Sequence, residues 1–128
     1  MDASPGDIYR AWTLEFDTWF ALPGALSMTP SVGAPYWFDV EFEGTRHAHY
    51  GKFTALETDR LIEMTWVTGR GGTLGAETLV RVELHPYSGA TMVRLRHAGF
   101  YDVASARQHG EAWPNVLEHL DDVLARRS

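Results

Sequence analysis

The sequence predicts an α+β fold in which a curved antiparallel sheet closes on one long C-terminal helix. Three observations predict it. Between residues 36 and 98 apolar and polar side chains alternate in four or five runs of strand length. From about 103 to 125 the period becomes helical, with Trp113, Leu117, Leu120 and Leu124 on one face. A short aromatic-rich helical stretch precedes the sheet. A sheet wrapped round a single helix leaves a space between the two, and small apolar ligands bind in such spaces.

Each element has a local reason. Ser4-Pro5-Gly6-Asp7 combines an N-cap, a proline at the first helical position and an acid three residues after the cap, so a helix starts there. Ile8, Trp12, Phe16, Trp19 and Phe20 continue at helical spacing until Pro23 and Gly24 stop it, and Thr13 divides the stretch into two short helices. Residues 25 to 35 hold Pro30, Gly33 and Pro35 without a period and read as a loop over a pocket entrance. Tyr36, Phe38, Val40 and Phe42 alternate with Trp37, Asp39, Glu41 and Glu43, and Gly44 ends that strand.

Strands over 47 to 56 and 60 to 67 follow around Glu57-Thr58-Asp59, then a glycine-rich connection over 68 to 76. Strands over 78 to 85 and 91 to 98 are joined by Pro86-Tyr87-Ser88-Gly89. Val80, Val82 and Leu84 share the inner face with Val93, Leu95 and His97, which leaves Arg81, Glu83, Arg94 and Arg96 outside to form ion pairs with one another and Glu63. Pro114 lies inside the last helix, where it predicts a kink or restart beside Trp113.

At 128 residues the chain fits a single domain, 1–128, large enough to bury a core unaided. It has no cysteine, which excludes disulfides and thiolate chemistry and suits a reducing, cytoplasmic home. Neither a secretory signal nor a run of about 20 apolar residues is visible, so no membrane insertion is expected. Seventeen acidic against eleven basic residues, net charge −6, with no segregated basic face, disfavour nucleic acid.

Among chemistry-bearing residues, His97 stands out because strand parity turns its imidazole inward, where it needs a partner and is able to orient a ligand or move a proton. The alternative is a histidine satisfied by a backbone carbonyl or a helix side chain. His47 and His49 are spaced two apart as a metal pair requires, but no third ligand accompanies them, so they read as a solvated strand face. His109 with Glu111, and Glu118 with His119, read as surface groups. Gly69, Gly71, Gly72 and Gly75 precede a strand rather than a helix, so they form no nucleotide fingerprint. No metal and no cofactor is expected.

Tyr9-Arg10-Ala11-Trp12-Thr13 followed by Trp19, Gly51 inside a strand, Arg60-Leu61-Ile62-Glu63-Met64-Thr65-Trp66, and 91 to 97 leading to the Trp113 helix resemble one family. It is the activator of Hsp90 ATPase homologue (AHSA1-like) group of the SRPBCC, or START-related (Bet v 1-like), helix-grip superfamily. The resemblance covers nearly the whole chain. It implies a strongly bent sheet around the last helix, two short helices closing one end and a deep apolar cavity. It also implies a strand before the first helix, where only Met1, Asp2 and Ala3 stand. The sheet edge that strand would cover is then open, and an open edge invites homodimerisation.

The side chains expected along the cavity are Trp12 and Phe20 from the N-terminal helices, then Phe38, Phe42, Phe53, Met64, Trp66, Val82, Leu95 and His97 from the sheet. Trp113 and Leu117 join them from the helix. Close packing of the same residues is the alternative. The leading functional expectation is a binding module for a small hydrophobic or lipid-like molecule. A cyclase, aromatase or hydrolase using His97, Tyr50 or Asp39 in the same cavity is the second. A chaperone-ATPase regulator acting through its surface is the third and rests on the family resemblance alone.

Overall fold

The computed structural model describes residues 1–69 and 73–126. An α-helix, α1, spans Pro5–Thr13, and a 3₁₀ turn follows at Phe16–Thr18. The strands are β1 Leu26–Met28, β2 Pro35–Phe42, β3 Thr45–Glu57, β4 Leu61–Trp66, β5 Thr78–Tyr87 and β6 Ala90–Ala98, and α2 covers Val103–Ala125. All six strands form one sheet in the order β1-β2-β3-β4-β5-β6, each antiparallel to its neighbours.

Ser4 caps α1 by accepting the Asp7 N–H at 3.2 Å, and Asp102 caps α2 by accepting the Ser105 N–H at 2.7 Å. The second N-terminal helix is only the 3₁₀ turn. The segment read as an uninterrupted loop contains β1, which pairs with Tyr36–Phe38 of β2. It lies at the sheet edge opposite β6. A three-residue strand in a proline-containing segment carries too little period to be legible.

Two turns are tighter than a sequence reading resolves. Glu43-Gly44 and Ser88-Gly89 all have positive φ, the signature of two-residue hairpin turns whose twist matches that of the strands. The first pins the β2–β3 register, so that Phe42 faces Thr45 and Phe38 faces His49. The glycine-rich connection is described only in part, because Gly71 and Gly72 lie outside the described residues. At its base Thr68 and Thr73 each accept the other's backbone N–H, at 2.7 and 2.8 Å.

Gly51 is required by a close approach. A Cβ there would stand 2.3 Å from the Thr65 carbonyl oxygen, and the Tyr36 hydroxyl reaches that same oxygen at 2.6 Å. The β3–β4 register shifts just beyond, between Phe53 and Ala55, where the sheet changes course.

Outside the sheet, Arg81 binds Glu63 at 2.7 Å and Glu83 at 3.1 Å, as strand parity predicts. Inside, Trp12, Phe16, Phe38, Phe53, Met64, Val80 and Val82 are fully buried, and Leu120 and Leu124 of α2 close onto them. Phe42 departs from expectation: it has inner-face parity but is 65% exposed, because it stands at the end of the β2–β3 hairpin beyond the reach of the core. α2 is continuous through Pro114, with no restart. Proline has no N–H to give the Gly110 carbonyl one turn back, so α2 runs on with that one hydrogen bond missing. No helix among the described residues is long and apolar enough to cross a membrane.

Candidate functional site

Parity along β6 turns Val93, Leu95 and His97 inward, and helical spacing puts Ala106, Gly110, Trp113, Pro114 and Leu117 on the face of α2 opposite them. Between these walls lies a groove of about 390 Å³, within the range of small-molecule sites. The sequence explains why it stays unfilled. The C-terminal half of α2 fills its side of the interface with Leu120 and Leu124, whereas the facing positions nearer its start are Ala106 and Gly110, too small to reach the strand.

His97 is wired on both nitrogens. The Trp113 Nε1–H, which can only donate, points at Nδ1 from 3.1 Å, so Nδ1 is the bare acceptor and Nε2 carries the proton. That proton goes to the Thr78 hydroxyl at 2.6 Å, and the hydroxyl donates onward to the Trp66 carbonyl at 2.5 Å. Burial, and secondarily the charge of His109, lower the His97 pKa to about 3. The imidazole is therefore a neutral structural link with neither nitrogen free for a ligand.

His109 lies 5.0 Å from His97, ring to ring, and its Nδ1 donates to the Ser105 carbonyl at 2.9 Å. Phe100 completes the cluster at 4.3 Å from His97 and 4.8 Å from His109.

His49 is not on a solvated face. The β2–β3 register sets it across from Phe38, where the two rings stack at 4.8 Å, and Trp66 meets its edge at 5.2 Å. Burial lowers its pKa to about 4, although its bond to the His47 carbonyl opposes the shift. That bond, 3.1 Å from Nδ1, makes Nδ1 the donor and leaves Nε2 without a partner among the described residues. No group of three or more candidate metal ligands occurs among the described residues.

The expected cavity residues divide into two sets. Leu95, His97, Trp113 and Leu117 line the groove. Trp12, Phe38, Phe53, Met64, Trp66 and Val82 sit in the closed core, and Phe20 bridges the two by packing on Trp113 at 6.2 Å and on Trp66 at 5.7 Å. Tyr50 is half exposed on the outer face, and Asp39 pairs with Arg46 at 3.5 Å. The groove also includes Val93, Ala106, Gly110 and Pro114, which sequence reasoning did not assign to a site. The signal was small residues on the helix face that carries Trp113 and Leu117.

The model for the family described as Activator of Hsp90 ATPase homolog 1-like protein matches residues 2–125. The chain belongs to that family. Solved structures share its fold. An AHSA1 protein from Silicibacter pomeroyi is 20% identical with a TM-score of 0.79, over 100% of this chain and 94% of that one. A protein from Mesorhizobium loti is 22% identical at 0.77, over 100% and 93%. The Aha1 dimer from Colwellia psychrerythraea, a solution structure, is 24% identical at 0.71, over 97% and 90%. Among curated proteins none matches the chain. Family membership carries the helix-grip architecture, and the groove between β6 and α2 is this member's own realisation of the space that architecture leaves.

Proposed function

We propose that this protein is a single-domain binding module that holds a small, largely hydrophobic molecule in the groove between β6 and α2. The groove itself carries the reading. Its walls are Val93, Leu95, Trp113, Pro114 and Leu117, and Ala106 and Gly110 leave the room. Such a guest would be recognised by shape and apolar contact, with the Trp113 ring as its main platform.

The engaged nitrogens of His97 favour binding over proton transfer, since a general acid or base needs a nitrogen facing its substrate. A homodimer is part of the proposal, supported by the dimeric relative from Colwellia psychrerythraea. A cytoplasmic location fits a chain without cysteine.

The test is a thermal-shift panel of fatty acids, flavonoids and aromatic polyketides, followed by native mass spectrometry of each hit. A compound at a hundredfold its dissociation constant adds about 2.7 kcal/mol of stability. A panel that shifts nothing and leaves no adduct would reject the reading.

A further inference from the structure

Two histidines on the sheet-facing side of α2 each keep one ring nitrogen uncommitted. The Nδ1–H of His49 donates to the His47 carbonyl at 3.1 Å, and that of His109 donates to the Ser105 carbonyl at 2.9 Å. A main-chain carbonyl only accepts, so in the neutral ring each Nε2 is a bare acceptor. Neither Nε2 has a partner among the described residues. His97, by contrast, spends both nitrogens within the protein.

The two rings border the same place. His49, Trp66, His97 and His109 follow one another in ring contact, with centroids 5.2, 6.1 and 5.0 Å apart. The ends of that series do not touch, although the charge of His109 reaches His49. Helix geometry sets His109 about 100° round α2 from its neighbour Gly110, so it faces the sheet one turn before Trp113 and not the groove. Trp66 is sealed beneath, 2% exposed, whereas His49, His109, Phe20 and Phe100 are half-buried and keep an edge in solvent. Phe20 meets Trp66 at 5.7 Å, and Phe100 meets His109 at 4.8 Å. The arrangement is a shallow recess with an aromatic rim and a lone pair at either side.

Two lone pairs call for a guest with two donors. A carboxylate would set its own lone pairs against them. A metal ion would need further ligands, and no group of three occurs among the described residues. We infer that His49 and His109 form a second binding site, on the sheet-facing side of α2, for a flat ring compound carrying two hydroxyl groups. Each hydroxyl donates to one Nε2, and the ring between them packs against Phe20 and Phe100. The Nδ1 bonds to main-chain carbonyls hold both imidazoles in the accepting tautomer. The site goes beyond the groove reading and does not rest on it, since neither histidine lines the groove.

The probe is resorcinol, compared with its monomethyl and dimethyl ethers and with isophthalate, titrated at about pH 8, above the ordinary histidine range, into protein labelled with ¹⁵N at histidine. Resorcinol should move the Nε2 resonances of His49 and His109 upfield, as an acceptor nitrogen moves on gaining a hydrogen bond, and leave that of His97 in place. Each methylation should weaken binding about tenfold, because it leaves one acceptor unpaired, and isophthalate should not bind. In His49→Phe, which keeps the stack on Phe38, resorcinol and its monomethyl ether should bind alike. Gly110→Leu, which fills the groove, should leave resorcinol binding unchanged, so failure here and failure of the groove reading are separable. Ethers that bind as tightly as resorcinol, a shift at only one of the two histidines, loss of binding in Gly110→Leu, or no binding at all would overturn the proposal.

Discussion

The indole N–H of Trp113 ends on Nδ1 of His97, 3.1 Å away, and this bond sets the tautomer of the histidine on the groove wall. A phenylalanine at 113 keeps most of the ring but cannot donate. Trp113→Phe is expected to cost about 1–2 kcal/mol and to raise the His97 pKa from about 3 toward the ordinary 6.5. Following the ring protons of His97 by NMR through a pH titration measures the shift. An unmoved titration would show that burial alone holds the ring neutral.

Acid should unfold this protein earlier than its ion pairs require. His49 and His97 titrate near 4 and 3 when folded and near 6.5 when unfolded, so unfolding takes up protons between those values. Their stabilising effect is complete above pH 6.5 and is lost as pH falls through that window. His49 contributes on the order of 3 kcal/mol, and His97, which is partly exposed, adds less than its shift implies. Melting temperature against pH should slope downward below 6.5, and His49→Phe, which preserves the stack on Phe38, should flatten it.

Gly51 tests the close approach of β3 to β4. With the Thr65 carbonyl 2.3 Å from where a Cβ would stand, Gly51→Ala forces backbone to move, and a loss of about 1–3 kcal/mol in denaturant unfolding is expected. A neutral substitution would mean that the strands part without cost.

Filling the groove separates binding from packing. A Cβ at Gly110 meets nothing within 4 Å, and leucine is a far better helix former than glycine. Gly110→Leu should leave stability unchanged or raise it by up to about 1 kcal/mol, while abolishing the thermal shift given by any groove ligand. A stable variant that still binds would locate the ligand elsewhere.

Two buried tryptophans differ by one hydrogen bond. The Trp19 Nε1–H donates to the Ala11 carbonyl at 2.8 Å, whereas the Trp12 Nε1–H is buried with no partner among the described residues. Replacement by phenylalanine removes the same volume from each. Trp19→Phe should therefore cost about 1 kcal/mol more than Trp12→Phe in denaturant unfolding, since only the first breaks a bond that is made.

Periodicity and capping residues alone determined the order of elements from β2 to α2, the α1 and α2 starts, the inward set on β5 and β6, and the outward Arg81 ion pairs. Those features rest on contacts within one strand pair or one helical turn, where residue spacing and geometry coincide. Tertiary structure decided the rest. Whether Phe38 or Leu95 borders a space depends on how closely α2 approaches each strand, a sum of side-chain volumes from distant parts of the chain. The inward turn of His49 followed from a two-residue hairpin register. The locked tautomer of His97 needed Thr78, Trp66 and Trp113 brought together from three elements, and no spacing along a chain encodes that meeting.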